Sequence, residues 1–150
     1  MRETTGDLWR FYGMPGYVVL ITTNGFVKYN GCAVMGRGCA RQAKDRFPDI
    51  DRELGKKIVE HGNIPIWLGS FMQLMSFPVK HNWWEKADPE LIKKSALILK
   101  QFANSMKRTV FVLPRPGCGN GHLDWETEVK PVLLDLEMPD NVWVISPGKV

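Results

Sequence analysis

The sequence predicts an α/β protein, a three-layer α/β/α sandwich around a mixed, largely parallel sheet. Three observations carry that expectation. Short β-rich runs alternate along the chain with segments of helical period, the order that covers both faces of a sheet with helices. One run, Tyr17–Thr23 (YVVLITT), is apolar at nearly every residue, as suits a strand buried on both faces. Another run, Thr109–Leu113, passes through a loop with glycines at 117, 119 and 121 into a helix-like segment, 125–136. A strand, a glycine-rich turn and a helix start, in that order, let backbone N–H groups close around a phosphate.

The elements follow from the N-terminus. Gly6-Asp7-Leu8 opens an irregular stretch that closes at Gly13-Met-Pro-Gly16. Tyr17–Thr23 is a central strand, broken by Asn24-Gly25. Phe26–Lys28 and Cys32–Val34 flank Tyr29-Asn30-Gly31, and Asn-Gly is a hairpin signal, so a small finger is expected to project. Gly36-Arg37-Gly38 leads into a helix over 39–46, stopped at Phe47-Pro48. Asp49 or Asp51 caps a second helix that ends at His61-Gly62-Asn63. Ile64–Leu68 and Phe71–Phe77 read as strands, the second ended by Pro78. Asp88 caps a longer helix with Pro89 in its first turn and a buried stripe of Leu91, Ile92, Ala96, Leu99 and Phe102 or Ala103. The helix after the glycine loop is capped by Asp124, and a last strand, Val142–Ile145, completes a single domain over residues 1–150.

Composition narrows the function. No apolar run reaches membrane-spanning length, and Met1–Thr5 has no hydrophobic signal core, which predicts a cytoplasmic protein. The three cysteines form no CxxC pair and are odd in number, against a disulfide framework. The three histidines share no metal-ligand spacing with each other or with the cysteines, so no metal is expected. A net charge of +4 without a basic block suits an anionic ligand, and is too small to imply nucleic-acid binding by itself. A plain strand-to-helix connection needs fewer than three glycines in five residues. In a sheet of this class ligands bind beyond the carboxyl ends of the strands, where the loops after Thr23, Phe77 and Leu113 gather.

At four places the chain resembles the macrodomains, an ADP-ribose-binding family. Gly6-Asp7-Leu8 resembles the early motif whose aspartate binds adenine. Thr22-Thr23-Asn24 resembles the strand end whose asparagine contacts the distal ribose. Val34-Met-Gly-Arg-Gly-Cys-Ala40 resembles the first glycine-rich loop, and Pro114–Trp125 (PRPGCGNGHLDW) the second. The Val-Met-Gly-Arg-Gly form and Phe77-Pro-Val-Lys80 point to the branch holding the DNA ADP-ribosyl glycohydrolase antitoxins and the terminal glutamate-ADP-ribose hydrolases.

What the resemblance implies can be stated residue by residue. Asp7 and Leu8 take the adenine end. Backbone N–H groups of Gly36, Arg37, Gly38, Gly119, Asn120 and Gly121 hold the diphosphate, with Gly117, Cys118 and His122 completing the second loop's contact. Asn24 orients the distal ribose; Asn30 fits the spacing to the first loop equally well if the finger is absent. Lys80 stands near the anomeric carbon, although an isolated lysine is ordinarily a surface charge. Phe77, Trp83 and Trp84 are candidates for an apolar wall beside it, His81 and His122 for proton transfer, and Trp143 for stacking on adenine, each with a plain structural reading beside the functional one. Gly121 and His122 stand where the glutamate hydrolases carry a catalytic aspartate, and Arg37 lies between the first loop's glycines where another macrodomain mechanism needs an acid. A lysine-only scheme survives both departures.

The resemblance calls for no cofactor and no membrane. Its partners are ADP-ribose or an ADP-ribosylated substrate, ADP-ribosylated DNA among them, bound by a monomer. Three functions are compatible with it: an ADP-ribosyl hydrolase, an ADP-ribose 1″-phosphate phosphatase, and a reader without turnover.

Overall fold

The computed structural model describes residues 1–148 of the expected domain. Its strands are β1 (Arg2–Thr5), β2 (Tyr17–Asn24), β3 (Trp67–Leu68), β4 (Leu74–Lys80), β5 (Val110–Pro114) and β6 (Val142–Ser146). They form one sheet in the order β1-β6-β5-β2-β4-β3, parallel throughout except for β3 against β4. The helices are α1 (Gly38–Arg46), α2 (Ile50–His61), α3 (Pro89–Ser105) and α4 (Lys130–Asp135), the last entered through a π-helical turn, Trp125–Val129.

The period of two in β2 divides the core. Val18 and Leu20 join α3 and the Trp125–Leu133 segment, together with Phe77, Phe111 and Leu113. Val19 and Ile21 point the other way, to α1, α2 and a short 3-10 helix at Leu8–Phe11. Alternate residues of a strand face opposite sides of a sheet, so an unbroken apolar run requires cover on both, and the three-layer sandwich follows. The stripe expected on α3 is buried as read, with Ala103 and not Phe102 at its end. Among the described residues no helix is long and apolar enough to cross a membrane.

Several elements differ from the sequence reading. β1 carries no apolar signal because it is a polar edge strand, RETT, that leaves most of its side chains exposed and pairs with β6 alone. The stretch expected as irregular contains the 3-10 helix, whose start Asp7 caps by accepting from the Trp9 N–H at 3.1 Å. The expected strand 64–68 shortens to Trp67–Leu68, and Phe71 and Met72 lie exposed before β4 begins.

Pro78 does not end β4, which continues to Lys80. Ser76 donates its N–H to Ile66, and residues two apart direct their N–H groups to the same side. Pro78 therefore turns its missing donor to the side where β3 has already stopped, a position at which proline costs no ladder bond.

The finger is smaller than expected. Val27 and Ala33 form a single antiparallel bridge, and Asn30 closes the turn by accepting from the Cys32 N–H. The chain then docks on α2, where the Ala33 N–H donates to the Asp51 carbonyl at 2.8 Å. A Cβ on Gly55 would collide with the Gly31 carbonyl oxygen, so only glycine lets the finger lie this close. Neither Asp49 nor Asp51 caps α2 through its side chain. The Asp51 carboxylate instead pairs with Lys44 of α1. Burial raises its carboxyl, but the Lys44 ammonium outweighs that and leaves it below the usual carboxylate range.

Candidate active site

Because the long strands are parallel, their carboxyl ends open on one edge, and a cleft of about 1770 Å³ lies along it. β1 delivers Gly6, Asp7 and Leu8 to it; β2 delivers Thr22, Thr23 and Asn24; β4 delivers Val79 and Lys80; β5 leads into Pro114 and the second glycine loop; β6 ends there at Ile145 and Ser146.

The two glycine loops meet across this cleft. A Cβ on Gly38 would sit 3.1 Å from the Asn120 side-chain nitrogen. Among the described residues, the N–H groups of Gly36, Arg37, Gly38, Gly119, Asn120 and Gly121 make no hydrogen bond within the protein. Unpaired donors converging at the start of a helix form a ready anion site. Cys39 anchors the first loop: Thr22 donates its N–H to the Cys39 sulfur at 3.3 Å, and the two side chains also meet at 3.3 Å.

The glycines of the second loop divide their work. A Cβ on Gly119 would meet nothing within 4 Å, which leaves its face free for a ligand. A Cβ on Gly121 would collide with the Gly117 carbonyl oxygen and lie 2.7 Å from the Ala87 Cβ. Gly117 has φ +77° and Ile92, Ala87 and Leu123 at 2.9–3.0 Å from its Cβ position. These two hold the loop against α3. The packing also leaves no room for an acidic side chain at position 121.

Lys80 and Asn24 stand opposite one another across β2 and β4, at a bulge between Thr23 and Asn24. The Lys80 carbonyl accepts from the Gly25 N–H at 3.1 Å and from Asn63 Nδ2 at 3.0 Å, which fixes its backbone. Its Nζ donates only to the Trp83 carbonyl, at 3.4 Å, and forms no ion pair among the described residues. Burial, and then the Arg37 charge, hold the amine below the usual lysine range. Asn24 is held by both ends, donating to the Val34 carbonyl and accepting from the Phe26 N–H, each at 3.0 Å.

The cleft thiols are driven the other way. Burial pushes the Cys39 thiol up, and burial with the Asp124 and Glu128 charges pushes Cys118 up to about 11. A thiol that stays protonated is a poor nucleophile, so among these groups the lysine amine is the one whose surroundings favour its reactive form. Among the described residues no group of three or more His, Cys, Asp or Glu stands where a metal could sit.

Some sequence candidates fall elsewhere. Asn30 lies outside the cleft, occupied with its own turn, while Asn24 lines it. Phe77 is fully buried in the core and offers no wall. His81 pairs with Asp88 at 2.8 Å, away from the cleft. Trp143 lies at the far end of β6, packed against Phe11 and Tyr17. Trp83, Trp84 and His122 do line the cleft.

Other contacts at the cleft carry no signal in the sequence. Arg115 lies 5.3 Å over the Trp125 ring and 4.0 Å from Glu3, which also takes Lys130 and the indole N–H of Trp125 and so ties the second loop to β1. Phe26 and Lys28 come to the mouth through the finger. Ile145 and Ser146 have a usable signal, since they end a parallel strand.

A six-stranded, mostly parallel sheet sandwiched by helices, with two glycine loops facing each other across its carboxyl edge, is the architecture of a macrodomain. The chain is 26% identical in sequence to the macrodomain of Mycobacterium tuberculosis DarG, with a TM-score of 0.72 over 99% of this chain and 97% of that one. With the macrodomain of Thermus aquaticus DarG it shares 28% identity at a TM-score of 0.69, over 97% of each. No family model matches the sequence. Among curated proteins, the DNA ADP-ribosyl glycohydrolase of Mycobacterium tuberculosis is 28% identical over 147 residues, 91% of this chain and 41% of that protein. The chain has the macrodomain fold and is similar to the macrodomains of DarG. It spans less than half the length of the curated relatives it matches.

Proposed function

We propose that this chain binds ADP-ribose in the cleft and hydrolyses ADP-ribosyl linkages, with ADP-ribosylated DNA as a substrate. The activity for which the relatives are named supports the reaction class. In this reading the free N–H groups of the two loops hold the diphosphate, Asp7 meets the adenine end, and Asn24 orients the distal ribose. The neutral Lys80 amine attacks the anomeric carbon. The bond to the acceptor breaks, its electron pair leaves with the acceptor, and water releases ADP-ribose from the lysine. Oxyanion-type stabilisation by fixed donors holds the charged diphosphate in place throughout.

One observation carries the proposal: a lysine amine without an ion pair among the described residues, its pKa lowered, stands in register with Asn24 at the strand ends, inside the cleft that the two glycine loops enclose. The test incubates the protein with ADP-ribosylated DNA, ADP-ribosylated protein and ADP-ribose 1″-phosphate. Free ADP-ribose is expected from the DNA, with Lys80→Ala abolishing release while retaining ADP-ribose binding by calorimetry. Full turnover by Lys80→Ala would remove the lysine from the mechanism. Phosphate as the only product would make the chain a phosphatase, and binding without any product would make it a reader.

A further inference from the structure

Beside the sugar end, the cleft of about 1770 Å³ includes a distinct aromatic mouth. Trp83 and Trp84 are 50% and 59% exposed, unusual for the two largest apolar side chains in a row. Their rings stand 5.5 Å apart edge to face, and Trp84 meets Phe26 at 5.4 Å, so three aromatic rings form a continuous ledge. The ledge adjoins the amine, because Lys80 Nζ contacts the Trp83 carbonyl. The cleft lining carries Lys28, Arg37, Lys80, Lys86 and Arg115 against Asp7, Glu85 and Asp124, and the Glu85 carboxylate, next to the two tryptophans in sequence, accepts from Asn82.

We propose that the Phe26–Trp83–Trp84 ledge is an acceptor-side subsite on which the bases flanking an ADP-ribosylated nucleotide stack, with Lys28 and Lys86 meeting the strand's phosphates. The inference rests on the functional reading above. The geometry follows from it: with the diphosphate at the glycine loops and the sugar at Lys80, the acceptor must extend beyond the amine, where the ledge lies. Exposed aromatic faces interleaved with cations are the surface that takes single-stranded nucleic acid, since stacking needs unpaired bases and cations follow the backbone. A duplex keeps its base faces covered and has nothing to lay on the rings. An acidic peptide would use the cations and leave the ledge idle.

The test compares an ADP-ribosylated single-stranded oligonucleotide, an ADP-ribosylated mononucleotide and an ADP-ribosylated peptide. In wild type the oligonucleotide is expected to have a kcat/KM about tenfold above the mononucleotide, the value of one stacked base. Trp84→Ala should collapse that preference, mainly through KM, and Trp84→Phe should keep most of it. Equal losses on all three substrates would overturn the ledge as a base platform, as would a peptide that depends on Trp84 as strongly as the oligonucleotide. A second readout does not depend on turnover: anisotropy of a short labelled, unmodified single strand should show weak binding that falls several-fold in Trp84→Ala and weakens with salt. Absence of strand binding in wild type would overturn the inference even if hydrolysis is observed. Failure of the functional reading shows separately, as absence of ADP-ribose binding by calorimetry.

Discussion

The two glycine-rich loops look alike in sequence and are built differently. The first, around Gly36-Arg37-Gly38, turns its glycine faces outward: a Cβ on Gly36 meets nothing, and one on Gly38 meets only the tip of the Asn120 side chain. The second turns Gly117 and Gly121 inward against α3 and Ala87, and leaves Gly119 alone facing the cleft. Three glycines in five residues suggest close approach by a ligand at each. Glycine in fact answers two demands there, a free face for an anion and room for the loop's own packing. Only the neighbours of each Cβ distinguish them.

Substitutions in the two loops separate these demands. The largest effect is expected from Gly121→Ala. Its methyl collides with a backbone oxygen, so the loop must move, at a cost of about 3 kcal/mol measured by denaturant unfolding. ADP-ribose affinity should fall with it. Ala87→Gly should not rescue the variant, because the Gly117 oxygen remains.

Gly36→Ala should behave in the opposite way. Stability should stay within about 0.5 kcal/mol of wild type, as for a surface change without a clash. ADP-ribose affinity should drop about tenfold, or ~1.4 kcal/mol, by calorimetry, since the methyl takes the ligand's space. Equal behaviour of the two variants would end the distinction.

The smallest effect concerns the first loop's Arg37. Burial and then this charge lower the Lys80 pKa. The neutral amine is the reactive form, so kcat should rise as pH rises through that lowered value. Arg37→Gln removes the cation, and the rising limb of the kcat–pH profile should move to higher pH. A profile that stays in place would show that burial alone tunes the amine.

Much of the fold is legible in the order of residues. The apolar run in β2 and the Asp88-Pro89 start of α3 announce themselves through period and capping, which are local properties. The same locality explains the misses. β1 is polar at an edge, and β4 keeps a proline that a central strand would reject; each is decided by which partner lies alongside. The cleft's motif residues, Asp7, Asn24, Lys80 and the two loops, are visible as residue patterns. Phe26, through its contact with Trp84, and Ala87, packed under the second loop, enter through contacts between distant segments, which no pattern records.

The amino-acid order by itself therefore determined the sandwich and the position of the glycine turns, because hydrophobic period and turn chemistry act over a few residues, whereas the lysine that follows Phe-Pro-Val stood out only through the resemblance. Tertiary structure alone decided that Gly121 excludes an acid and that Trp83 and Trp84 stand open beside Lys80. Those outcomes depend on how parallel strands align their carboxyl ends and on which atoms crowd a given Cβ, distances that exist only after the sheet has closed its register.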